Sequence, residues 1–204
     1  GAAVPLTTHT FKAVQLCRGN GLEIGALSRP AELDAQVIYA DVCNNATMTE
    51  VLHGLRGGPY YDCDKLVEPT IILQPPHYYI PIDNDRLDFV YTSHVLEHSP
   101  NPVAALYDQL RVVRNDGIVY LIVPNRRRTY DFRRPATSVA KLLQKFECND
   151  FSFDLADASE LLWGTTGHAH YLDKTPERLV EIQATPGPHH YTVFTPASVL
   201  NLVT

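Results

Sequence analysis

Leu87-Asp88-Phe89-Val90-Tyr91-Thr92, then Asn101-Pro102, then Ile118-Val119-Tyr120-Leu121-Ile122-Val123 are the three pieces of sequence that decide the fold. The first and last are short apolar runs of strand length. Asn101 is a good cap before a first-turn proline, and Val103, Leu106, Tyr107, Leu110 and Val113 then recur on one helical face. Gly117 is expected to stop that helix before the next strand. Strand, helix, strand in this order predicts a parallel sheet. Ile118–Val123 is apolar throughout apart from the Tyr120 hydroxyl, as for a strand covered on both faces.

Working outward, Leu22–Ile24 and Val37–Val42 predict two earlier strands. Leu66–Leu73 predicts an edge strand, because Pro69 cannot donate to a ladder. The expectation is a doubly wound α/β fold with strand order 3-2-1-4-5 and no terminal antiparallel hairpin. Met48–Leu55 and Val139–Phe146 predict short amphipathic helices, and Thr175-Pro176 and Thr195-Pro196 predict two helix starts. Residues 147–173 have no dominant period and are expected to form a lid or insertion.

The 204 residues suit one α/β domain spanning 1–204, with Gly1-Ala2-Ala3 set aside as a cloning remnant. Seventeen basic residues against 23 acidic ones give a net charge of −6, which excludes a phosphate-tracking nucleic-acid binder. No apolar run approaches the ~20 residues that span a bilayer, and no signal-peptide pattern opens the chain. Cys17, Cys43, Cys63 and Cys148 lack metal-ligand spacing, so reduced, buried thiols and a cytoplasmic location are expected.

Gly21-Leu22-Glu23-Ile24-Gly25-Ala26-Leu27 is a strand entering a glycine turn, where backbone can approach a ligand closely. Asp41 follows Glu23 by 18 residues and stands at the end of the next strand, where an acid accepts ribose hydroxyls. A nicotinamide oxidoreductase shares this layout, but its fingerprint has three glycines where this turn has one. His94-x-x-Glu97-His98 matches a zinc-peptidase pattern, yet that pattern needs a long helix, and Pro100 and Pro102 follow at once. The plainer reading is that Glu97 and His98 brace the loop after the strand.

A longer series resembles the class I S-adenosylmethionine-dependent methyltransferases, whose sheet is Rossmann-like. It comprises Asp88-Phe89-Val90, Glu97-His98, Arg111-Val112-Val113, Gly117 and Val123-Pro124-Asn125. The Glu23-Ile24-Gly25-Ala26 opening and the run Tyr130-Asp131-Phe132-Arg133-Arg134-Pro135-Ala136-Thr137-Ser138 are similar to domains found beside glycosyltransferases, which methylate sugar hydroxyls in glycans. The resemblance implies S-adenosylmethionine as cofactor, with Glu23, Ile24, Gly25 and Ala26 at its methionine end. It further implies Asp41 and Val42 at the ribose, Gln74 at the adenine amine, and Ser93 and His94 under the sulfonium. Leu27 stands where the family places a second glycine, and the acid usual near the adenine is missing. A decayed copy, or a methyltransferase acting on another small molecule or lipid, stays open at this point.

A sugar hydroxyl is a poor nucleophile at neutral pH, so a base is expected beside it. His190 and His168 are the leading candidates, with His170 and His189 behind them and Asp131 as the carboxylate alternative. Arg128, Tyr130 and Arg134 are expected to shape the acceptor pocket. Carboxylate spacing gives no sign of an essential metal, and none is expected.

Overall fold

The computed structural model describes residues 8–54, 61–168, 171–184 and 189–204, with backbone alone for residues 8–11. Gly1-Ala2-Ala3, Leu55 and His170 lie outside these residues. The chain divides into two compact units. The first takes residues 1–52, 60–93 and 107–122, and the second takes 53–59, 94–106 and 123–204.

The first unit carries a five-stranded sheet. Its strands are β1 (Asn20–Ile24), β2 (Gln36–Asp41), β3 (Ile71–Ile72), β4 (Leu87–Ser93) and β5 (Val113–Ile122). The order is 3-2-1-4-5 and every pairing is parallel. Helices α1 (Thr8–Leu16) and α2 (Asn45–Gly54) belong to this part of the chain. Helix α3 (Pro102–Val112) joins β4 to β5, as the Asn101-Pro102 signal predicts; Asn101 Oδ1 accepts from the Ala104 N–H.

The core of the first unit is Ala13, Cys17, Phe89 and Tyr91, with Val37, Ile118, Tyr120 and Ile122 packed against it. Gly21 pairs with Phe89 across β1 and β4. A Cβ on Gly21 would lie 2.2–2.4 Å from the Phe89 ring, so glycine is what lets that ring bury in the sheet. Two ionic clamps hold the approach to β4. Asp88 accepts from the Asn20 N–H at 2.7 Å and from Arg114 Nε at 2.5 Å. Arg111 pairs with Asp108, donates to the carbonyls of Ile80 and Ile82, and lies over the Tyr79 ring.

Three expectations need correcting. The predicted strand over 66–73 shrinks to Ile71–Ile72, because Pro69 removes a donor and only Ala40 and Asp41 of β2 are left to pair. Gly117 does not stop α3: the chain turns directly from Val112 into β5, and Gly117 sits inside that strand. A Cβ there would meet Val113 Cγ1 at 2.4 Å and the Asp88 carbonyl at 2.7 Å, beside a register shift between Leu87 and Phe89. Residues 117–122 of β5 are half-buried rather than covered on both faces, since β5 is an edge of the sheet among the described residues.

The second unit is helical: α4 (Val139–Glu147), α5 (Leu155–Gly164), α6 (Pro176–Ala184) and α7 (Pro196–Val203). Thr195 and Ser198 form a capping box on α7, and Ser138 caps α4. The span 147–173, which shows no dominant period in the sequence, contains α5, capped by Asp154 and packed through Ala158, Leu161 and Leu162 on Tyr171 and Ile182. The four thiols are unpaired, but only Cys17 is buried; Cys148 is exposed. No helix among the described residues is long and apolar enough to cross a membrane.

Candidate active site

In the first unit the carboxyl ends of β1, β2 and β4 converge where the sheet order reverses, the usual ligand position in an open α/β sheet. Gly25 ends β1 at φ 72° and donates its N–H to Ala40. Leu27 stands at φ 48°, so the left-handed turn expected of a glycine is kept by a leucine. Asp41 is half-buried at the end of β2. Its Oδ1 accepts from the Val42 N–H at 2.7 Å, which leaves Oδ2 for a ligand hydroxyl. Ile24 and Ala26 are buried, Val42 and Gln74 are exposed, and Ser93 closes β4 half-buried.

Glu23 has a different setting from the one the resemblance implies. It is 3% exposed, and both carboxylate oxygens accept from the Ala31 N–H, at 3.0 and 3.1 Å. It therefore holds the loop after the glycine turn from within. Burial pushes its carboxyl up to about 7, against the opposing Ala31 hydrogen bond. The sign for stability follows. Below the ordinary value of 4.5 both folded and unfolded chains are protonated, and between 4.5 and about 7 only the unfolded chain has lost the proton. Stability attributable to this group therefore falls as pH rises through that window, by about 3 kcal/mol at most. Glu23→Gln should remove this slope. Denaturant melts of both proteins at pH 5 and pH 8 check it, and parallel pH profiles would reject the assignment.

The second unit gathers the remaining candidates. Glu97 and His98 lie on a single 3-10 turn, Leu96–His98, preceded by His94 at φ 57°. That geometry overturns the peptidase pattern, whose two histidines need one continuous helical face. Glu97 is 0% exposed, and neither carboxylate oxygen has a hydrogen-bond partner. His94 Nδ1 stands 3.3 Å from Glu97 Oε1, and His190 Nε2 stands 3.9 Å from the same oxygen. The Glu97 backbone carbonyl accepts from the Tyr191 and Thr192 N–H groups, which fixes the returning chain against the turn.

His190 and Asp131 form a close pair. The Asp131 carboxylate accepts from His190 Nδ1 at 2.5 Å. Burial alone would raise the Asp131 carboxyl, but the His190 hydrogen bond and the Arg134 charge outweigh it and hold it below the usual range. His98 donates from Nδ1 to the His189 carbonyl at 3.0 Å. Burial, with His190 beside it, brings the His98 imidazole down to about 4. The Tyr130 ring lies between two histidines, with centroids 4.5 Å from His168 and 4.6 Å from His190. His168 is half-buried and lowered, first by burial and then by His190.

Arg134 is not an open acceptor contact. It is 2% exposed; its guanidinium reaches Asp131 Oδ1 and the His190 carbonyl, both at 2.8 Å, and Glu160 Oε1 at 3.2 Å. Its place is behind the His190–Asp131 pair. Arg128 is exposed and Tyr130 half-buried. Sequence reasoning missed Glu97 and His98 as partners of His190, although the motif that holds them was visible.

A family profile described as a methyltransferase domain matches residues 15–121, just over half of the 204. The chain belongs to the S-adenosylmethionine-dependent methyltransferases. Residues matched in this methyltransferase include Glu23, Gly25, Asp41, Ser93, Glu97 and His98; Asp131, Arg134, His168 and His190 fall beyond the match. A search of curated proteins finds no match.

Solved structures similar to this methyltransferase include a methyltransferase candidate from Bacillus halodurans C-125. It is 11% identical over 95% of this chain and 64% of that one, at a TM-score of 0.48. A Thermotoga maritima S-adenosylmethionine-dependent methyltransferase is 14% identical over 87% and 69%, at 0.40. The YcgJ protein of Bacillus subtilis is 14% identical over 57% and 50%, at 0.39. This methyltransferase thus spans half the length of the Bacillus subtilis protein.

The family's cofactor is S-adenosylmethionine, and the residues at the end of the sheet fit it. Gly25 offers backbone with no Cβ in a left-handed turn, and Asp41 uses Oδ1 for the Val42 N–H, with no hydrogen bond to Oδ2 among the described residues.

Proposed function

We propose that the chain is an O-methyltransferase that moves the methyl group of S-adenosylmethionine to a sugar hydroxyl in a glycan, a deoxysugar such as rhamnose being the model acceptor. One observation carries the reading: His190 is backed by Asp131 and Arg134 at the centre of a buried cluster, as activation of a neutral oxygen requires. The sugar itself rests on the similarity of residues 130–138 to domains found beside glycosyltransferases. We place the chain with such activities, as a single methyltransferase domain in which residues 147–173 serve the acceptor side.

In the first unit Gly25, Ala26 and Asp41 bind the donor, with Ser93 at the end of β4 and Gln74 after β3. In the second, His190 carries the activation of the acceptor oxygen, Asp131 fixes its ring, and His168, Tyr130 and Arg128 face the acceptor. When bound, S-adenosylmethionine would supply the methyl group and leave as S-adenosylhomocysteine, while the cluster of the second unit would lower the proton affinity of the acceptor hydroxyl. The four unpaired thiols suit a reducing compartment, which we take to be the cytoplasm.

Incubation with methyl-labelled cofactor and a panel of glycans, read by mass spectrometry, tests the proposal. Label on a sugar oxygen supports it; label only on nitrogen or sulfur acceptors rejects it. The donor side has its own test. Asp41→Ala removes hydrogen bonds to charge worth roughly 1.5–3 kcal/mol each, so affinity for S-adenosylmethionine should fall at least tenfold while the fold survives. Unchanged binding by calorimetry would reject Asp41 as the ribose acceptor.

A further inference from the structure

Glu97, His98 and His190 each bring one potential ligand atom to within 4.8 Å of the other two. Three features show that this cluster is built rather than incidental. First, the ring orientations are fixed by acceptor-only partners. The His189 carbonyl and the Asp131 carboxylate can only accept, so His98 and His190 donate from Nδ1. In each neutral ring the Nε2 lone pair is then left bare. Second, Glu97 is fully buried; among the described residues Oε1 has only the longer contacts to His94 and His190, and Oε2 has no hydrogen-bond partner. A buried carboxylate is ordinarily paired or bound to a metal. Third, a carboxylate or carbonyl on the far nitrogen is the usual support of a metal-binding histidine, and here both histidines have one. Arg134 in turn fixes Asp131 through its other oxygen.

We infer that Glu97, His98 and His190 form a binding site for a divalent transition-metal cation. Two imidazoles and one carboxylate suit zinc, manganese or cobalt better than calcium or magnesium, which favour oxygen donors alone. Three protein ligands leave coordination positions open, as in catalytic rather than structural metal sites. The site departs from the expectation of no metal, and the reason is topological. His190 lies more than 90 residues along the chain from Glu97 and His98, so no sequence spacing reveals the set. His94, the other histidine of the local motif, is half outside the cluster and serves as a neighbour of Glu97 rather than a ligand.

The role of the cation rests on the O-methyl-transfer reading: as a Lewis acid it would lower the proton affinity of an acceptor hydroxyl, with His190 then acting as its ligand and not as the proton acceptor. The site itself does not rest on that reading. The test therefore uses the whole chain, stripped with chelator, without cofactor or acceptor. Zinc, manganese and cobalt are titrated by calorimetry, and cobalt also by visible absorption. Saturation at one equivalent, with a nitrogen–oxygen cobalt spectrum free of thiolate charge-transfer bands, is expected. Glu97→Gln and His98→Gln should each weaken binding at least tenfold, and Asp131→Asn about 10–100-fold.

No binding by the parent chain, or a thiolate spectrum abolished by replacing Cys43 and Cys63, would overturn the site. Unchanged binding in folded Glu97→Gln and His98→Gln proteins would overturn it equally. Should those variants fail to fold, the cobalt spectrum of the parent chain decides alone. Cation binding without methyl transfer would sink the proposed reaction and leave the site standing; methyl transfer by cation-free protein would do the reverse for its role.

Discussion

His190→Ala is expected to lower turnover by about 10²–10⁴, the range seen when a group that activates a nucleophile is removed, and to leave S-adenosylhomocysteine affinity unchanged. The donor residues Gly25 and Asp41 belong to the first unit and His190 to the second, so the two readouts separate cleanly. His168→Ala serves as the companion measurement. His168 touches Tyr130, which also contacts His190. A loss of turnover is expected there as well. Near-normal turnover in both proteins would remove histidine from the mechanism and make Asp131 the group to examine.

Arg134→Met should be the most destabilising single change in the second unit. The guanidinium is buried and binds two carboxylates and a backbone carbonyl. Its loss strands the Asp131 charge and the His190 carbonyl away from water. Breaking a buried pair from one side costs about 3–5 kcal/mol, which for a chain of this size lowers Tm by roughly 10 °C. Arg134→Lys should rescue little, because one ammonium cannot span three acceptors at fixed angles. Calorimetric melts of the three proteins check both statements. A Tm within error of the parent would mean that Asp131 and Glu160 find other partners.

The parallel sheet was readable because short, mainly apolar runs alternate with helix-period segments, and Asn101-Pro102 marks the connecting helix. β3 misled because Leu66–Leu73 has strand composition, yet Pro69 and a short partner leave two residues to pair. Helix α5 had a cap in Asp154 and an apolar face at Ala158, Leu161 and Leu162, but its polar flanks masked the period. The residues proposed for the donor share local stretches and could be carried over from a motif. The pairing of the proposed acceptor residues could not. Asp131 meets His190 across 59 residues, and Arg134 meets the His190 carbonyl across 56, distances set by how the helices of the second unit return. Arg134 looked like a surface contact because it sits in a basic run; burial is a property of the fold that charge alone does not report.

Leu27 carries a consequence for how such domains are judged. Its left-handed backbone is tied on both sides: Gly25 donates to Ala40, and the Leu27 carbonyl accepts from Val67. For a leucine that conformation costs roughly 1–2 kcal/mol, so the neighbouring hydrogen bonds, not the side chain, dictate the turn. The left-handed shape of this turn thus does not require a glycine at position 27. Counting glycines in the fingerprint then measures how easily the turn forms, not whether its backbone shape is there.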